Sequence, residues 1–140
     1  MKYKHNGINL KNTLSVPFIW LLLVPLLILD LIGEIYHRIC FPLYGLKCVK
    51  RKEYIIVDSY KLPYLSWMDK IYCLYCEYAN GLLPYMSKIA AETEKYWCGI
   101  KHRPSKEFHQ PKHHKDFLEY GNEEEFKKFC KMQKKKNSSR

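Results

Sequence analysis

The residues best suited to chemistry are two close pairs of soft donors. Cys73 and Cys76 form a C-x2-C pair, and Cys98 with His102 forms a C-x3-H pair after 21 intervening residues. Four thiolate or imidazole donors in two pairs can surround one tetrahedral zinc, and that closure adds folding energy to a small core. Iron is the alternative metal, although an iron–sulfur cluster more naturally takes a fourth cysteine. Two further interpretations stand beside a metal. Cysteines in a tyrosine-rich apolar helix pack as small hydrophobes. A C-x2-C pair can also be redox-active, but no strand–helix–strand pattern surrounds this one.

A second constellation is the set Asp30, Glu34 and His37, which falls at i, i+4 and i+7 on one helical face and is a second candidate polar or metal site. Glu34-x-x-His37 has the spacing of carboxylate-bridged di-iron sites, yet such sites need a second copy and more carboxylates. A polar patch in which Glu34 and Arg38 support each other at i, i+4 is the simpler expectation. His109, His113 and His114 lie among Lys106, Lys112 and Lys115 in a stretch punctuated by Pro104 and Pro111. It reads as a solvated loop able to supply a metal ligand or touch phosphates.

These groups must be positioned by a chain of 140 residues, long enough for one modest domain. Residues 14–32 carry one charge, Asp30, and 14 of the 19 are Leu, Ile, Val or Phe. Their transfer favours insertion by roughly 4–8 kcal/mol, against about 2.5–3.5 for a central Asp. A spanning helix is the leading expectation, ahead of a re-entrant or in-plane helix and of a buried soluble one. Pro17 suits a first helical turn, whereas Pro25 would kink the segment. A cleaved signal peptide fits poorly, because no alanine precedes Ala79 to supply a small-residue cleavage site.

Beyond the segment, Tyr36, Phe41 and Tyr44 lie beside the cations Arg38, Lys47, Lys50, Arg51 and Lys52, a mixture suited to head-group depth and to anionic-surface contacts. These cations outnumber Lys2, Lys4 and Lys11 on the N-terminal side, so the C-terminal domain should face the cytoplasm. Cysteines there should persist as thiols or metal ligands. Tyr54-Ile55-Ile56-Val57 reads as a short extended segment. Ser66 and Asp69 form a capping pair for a helix that should stop near Asn80-Gly81, and Pro84 suits the start of another. A last helix is expected over residues 117–132.

The fold class is therefore mainly α: an N-terminal membrane helix followed by a small helical-hairpin domain with a short extended segment. The organisation expected is a polar N-terminus (1–13), a membrane segment (14–35), a basic collar (36–52), a Cys/His domain (53–130) and a disordered basic tail (131–140). The blocks Glu34-Ile35-Tyr36-His37-Arg38, Phe41-Pro42-Leu43-Tyr44-Gly45, Tyr75-Cys76-x-Tyr78-Ala79-Asn80-Gly81-Leu82 and Tyr96-Trp97-Cys98-x-Ile100-Lys101-His102 together resemble a family of short uncharacterised bacterial proteins. The resemblance implies no activity, cofactor or site residue.

On function, the residues point first to a membrane-attached zinc-binding module that helps another protein assemble or dock. A metalloenzyme acting on lipid or a quinone-like substrate at the membrane surface is the second expectation. The third is a binder of anionic lipid or nucleic acid, which the net charge of +10 permits. No motif supports nucleic acid specifically.

Overall fold

The structure, a computed structural model, describes residues 10–138, with side chains described for residues 14–135. The first nine positions of the expected polar N-terminus, Lys2 and Lys4 among them, lie outside the described residues, as do Ser139 and Arg140. Helix α1 covers Leu10–Leu43, α2 Trp67–Trp97 and α3 Glu123–Ser138, with 3-10 turns at Arg51–Glu53, Ser59–Lys61 and Lys112–Asp116. The fold is mainly α, and no strand occurs among the described residues. The chain divides into two units, the first closing at Ile89 and the second opening at Ala90.

In the first unit, α1 is 34 residues long and contains Pro17, Pro25 and Pro42. Because it starts at Leu10, Pro17 sits inside the helix and not in its first turn. The helix stops where Gly45 adopts φ +70°, which lets Leu46 N–H bond Phe41 C=O at 2.8 Å and Gly45 N–H bond Pro42 C=O at 3.0 Å. That 6→1 and 5→2 pair is a Schellman cap, and only glycine takes the left-handed conformation at no steric cost.

From there the connection runs back along α1. Val49 donates its N–H to His37 Nε2, Arg51 reaches Asp30, and Val57 shares a cavity with Leu23 and Leu27. The extended segment expected from Tyr54 does not begin there: Tyr54 is in the αR conformation and closes the 3-10 turn with its N–H on Arg51 C=O at 3.1 Å, and Ile55 to Val57 follow without regular secondary structure.

Helix α2 starts on the expected capping box, with Asp69 N–H donating to Ser66 Oγ at 3.2 Å and Ser66 Oγ–H donating to Asp69 Oδ2 at 2.7 Å. It does not stop at Asn80-Gly81, so the two short helices of the expected hairpin are one helix of 31 residues. A Cβ on Gly81 would lie 2.7 Å from Tyr54 O and 2.9 Å from Ile55 Cα. The glycine admits the connection against the helix and does not end it. Leu82, Tyr85 and Ile89 follow at helical spacing and are buried with Leu26 and Phe41 as the core.

In the second unit, Ile100 and Leu118 form an isolated parallel bridge, with Leu118 N–H on Gly99 C=O at 2.7 Å and Lys101 N–H on Leu118 C=O at 2.8 Å. The helix expected from Phe117 begins later, because Asn122 caps it: Glu125 N–H donates to Asn122 Oδ1 at 3.1 Å. Glu123, Glu124 and Glu125 then occupy the positive end of the helix dipole. Glu123 also pairs with Lys127 at 2.6 Å. The tail expected to be disordered is thus helical through Ser138, since its Lys, Gln and Met residues are good helix formers that extend an already nucleated helix.

Candidate metal centre

Glu94 stands in the last turn of α2, and His113 with His114 occupies the 3-10 turn that follows Pro111. Proline fixes the entry to that turn, and the turn places two consecutive imidazoles against one carboxylate. His113 Nε2 lies 2.6 Å from Glu94 Oε2, and His114 Nε2 lies 3.0 Å from Glu94 Oε1. Among the described residues, these three form the group of His, Cys and carboxylate side chains whose ligand atoms all fall within 4.8 Å of one another.

His114 is only 1% exposed, and its Nδ1 is buried with no hydrogen-bond partner. Its ring stacks on Phe117 at 4.7 Å and meets the ring of His102 at 5.4 Å. The hydrogen bond from His113 holds the Glu94 carboxyl below its ordinary range, with burial pulling the other way and the bond from His114 adding to the depression. Two imidazole nitrogens and two carboxylate oxygens therefore converge on a small volume. Either each imidazole places a proton on the nitrogen facing Glu94, or one cation replaces those protons.

The expected Cys73, Cys76, Cys98 and His102 set is divided. Cys73 and Cys76 lie on α2 in the first unit, Cys73 half-buried and Cys76 exposed. Burial and the Glu77 carboxylate push the Cys73 thiol up, which favours its protonated form over the thiolate a metal needs. Cys98 and His102 fall in the second unit. Cys98 N–H still bonds Glu94 C=O, one turn on, and His102 packs against Phe108 and His114. The turn that was to bring the two pairs together is absent, because α2 runs through it. None of the three cysteines belongs to the convergent group.

Asp30, Glu34 and His37 do share one face of α1, but protein donors fill it. Arg51 meets Asp30 through both terminal nitrogens, one of them 2.6 Å from Oδ2, and Tyr78 Oη–H donates to the same oxygen at 2.7 Å. Glu34 accepts from Arg38 Nε at 2.7 Å and from Tyr85 Oη–H at 2.8 Å. The Val49 N–H on His37 Nε2 leaves that nitrogen unprotonated, so the neutral ring carries its proton on Nδ1, 3.1 Å from Tyr85 Oη. This face is a hydrogen-bonded network, and its three groups are not a convergent ligand set among the described residues. Arg51, expected to contact an anionic surface, is held inside that network. Lys47, Lys50 and Lys52 are exposed, with Lys50 3.6 Å from Glu53.

From the sequence, His113 and His114 read as members of a solvated loop able to supply a metal ligand, and Glu94 is not singled out. No local spacing links a glutamate to a histidine pair about twenty residues later. The one signal was the doublet itself, placed two residues after Pro111. Compared with known proteins, the chain matches no family model, no curated protein and no solved structure.

Proposed function

We propose that this chain is a membrane-attached metal-binding protein in which Glu94, His113 and His114 hold one zinc ion and the protein serves as an assembly or docking module. The observation that carries the proposal is the convergence of two imidazoles on one carboxylate, with His114 fully buried. A metal there cross-links the loop after Pro111 to the end of α2, a staple suited to a unit of about fifty residues. Attachment is supported by α1, a helix long and apolar enough to cross a membrane, of which only 6% of the most apolar window is buried. A core helix of a soluble protein would be mostly covered. The excess of cations that follows the apolar segment supports attachment from the cytoplasmic side.

Thermal melts of the purified chain with zinc and with a chelator test the metal. A zinc-dependent rise in midpoint that Glu94→Gln abolishes supports the site, and an equal midpoint in both conditions refutes it. A metalloenzyme at the membrane surface is the second reading, favoured by one observation: three protein ligands leave a coordination position open, and two histidines with a carboxylate also suit ferrous iron. Hydrolysis or oxidation of a lipid-like substrate that depends on the bound metal would put this reading first.

A further inference from the structure

We infer that α1 lies in the plane of one leaflet and does not cross the bilayer; the inference rests on the membrane attachment proposed above. Three features of the first unit carry it. The first is a stripe. Leu14, Phe18, Leu21, Ile28, Ile32, Ile35, Ile39 and Leu43 are all large, apolar and exposed and recur at three-, four- and seven-residue steps; Leu22, Val24, Leu29 and Leu31, also exposed, flank them, and Ile19 and Leu27 are exposed toward the covered side. Asp30, Glu34, His37 and Phe41 occupy the opposite side and are spent on contacts within the unit. A stripe spread over 30 residues is about 45 Å long, well beyond the ~30 Å of hydrocarbon. A spanning pose centred on residues 14–32 leaves Ile35, Ile39 and Leu43 in water, whereas an in-plane pose buries all eight.

The second feature is direction. Asp30 meets Tyr78, Glu34 meets Tyr85, and a Cβ on Gly33 would meet Met86, so residue numbers rise together along α1 and α2. Two neighbouring helices that run the same way need a connection that returns along their length. The segment from Tyr44 to Ser66 does so, and much of it is irregular. If α1 crossed the membrane, this backbone and the charged side chains of Lys61, Asp69 and Lys70 would sit beside apolar levels of the helix. Exposed irregular backbone is not tolerated in hydrocarbon.

The third feature is the level at which the cover begins. Trp20 already packs on Tyr75 at 6.2 Å, and Trp20, Leu23 and Leu27 share a cavity of about 270 Å³ with Val57, Ile71 and Leu74. From Leu10 to Ile19 the described helix rises about 15 Å ahead of that cover, half of the ~30 Å of hydrocarbon and too little to cross it.

The test uses the full chain with an epitope tag at each terminus, in sealed vesicles treated with protease from outside. The expected result is co-sedimentation with the vesicles and the same fate for both tags. One tag lost and the other protected overturns the in-plane placement while leaving attachment intact. A chain that stays out of the vesicle fraction, alone or as a dimer covering the stripe, overturns attachment as well. Ile39→Glu gives an independent readout. Its membrane-bound fraction should fall roughly tenfold or more at unchanged helix content. An unchanged fraction is the result of a spanning helix and contradicts the proposal.

Discussion

Arg51 clasps Asp30 with both terminal guanidinium nitrogens across 21 residues of sequence, so the acid within the apolar helix is neutralised by the connection that folds back over it. A paired fork of this kind is stronger than a point contact, and the partner raises the already high pKa of the guanidinium. Arg51→Met should therefore cost about 2 kcal/mol, less than the 3–5 of a fully buried pair because the arginine is about one-third exposed. The double variant Asp30→Asn/Arg51→Met should recover most of that loss. Urea denaturation in mild detergent measures both, and equal destabilisation of single and double variants would show that the two groups do not depend on each other.

Tyr85 Oη stands between His37 Nδ1 and Glu34 Oε2, accepting from the ring and donating to the carboxylate. Tyr85→Phe keeps the ring in the core but leaves a buried N–H without an acceptor. A loss of about 1–3 kcal/mol is expected. Tyr78→Phe should cost less, since Asp30 keeps Arg51, and the comparison of the two melts checks the ranking.

Gly81→Ala should destabilise although alanine normally gains about 1 kcal/mol over glycine inside a helix. The added Cβ would lie against the Tyr54 carbonyl, which cannot withdraw without moving the connection. Asn80→Ala, one position earlier on an exposed face, should behave normally and stabilise. Midpoints moving in the same direction for both variants would contradict the close approach.

In metal-free protein, Glu94 should impose an acid dependence on stability. Its folded-state pKa lies below the ordinary 4.5 because His113 donates to it. The stabilisation is therefore fully present above the unfolded value and is lost as the pH falls through the lower folded value. Denaturation curves at pH 7 and pH 3.5, in chelator, should differ by less in Glu94→Gln than in the parent chain. An identical difference in the two would remove Glu94 from the account.

What the sequence made legible was local. The Ser66–Asp69 cap, the shared face of Asp30, Glu34 and His37 and the apolar length of α1 each follow from spacings within one or two helical turns. Asn80-Gly81 carried a helix-stop signal of the same local kind, but a tertiary contact from Tyr54 and Ile55 gave the glycine a different use. The metal group was not legible because its members come from a helix end and a loop about twenty residues later. The C-x2-C and C-x3-H pairs looked complete as motifs, yet motifs need a turn between them, and α2 supplies none.

The central claim is that Glu94, His113 and His114 hold the metal. Elemental analysis of detergent-purified protein, prepared without added metal, tests it most directly when parent, His114→Ala and Cys76→Ser are run together. About one zinc per chain in the parent and in Cys76→Ser, with none in His114→Ala, is the predicted result. Metal lost in Cys76→Ser and kept in His114→Ala would contradict the account and return the site to the cysteines.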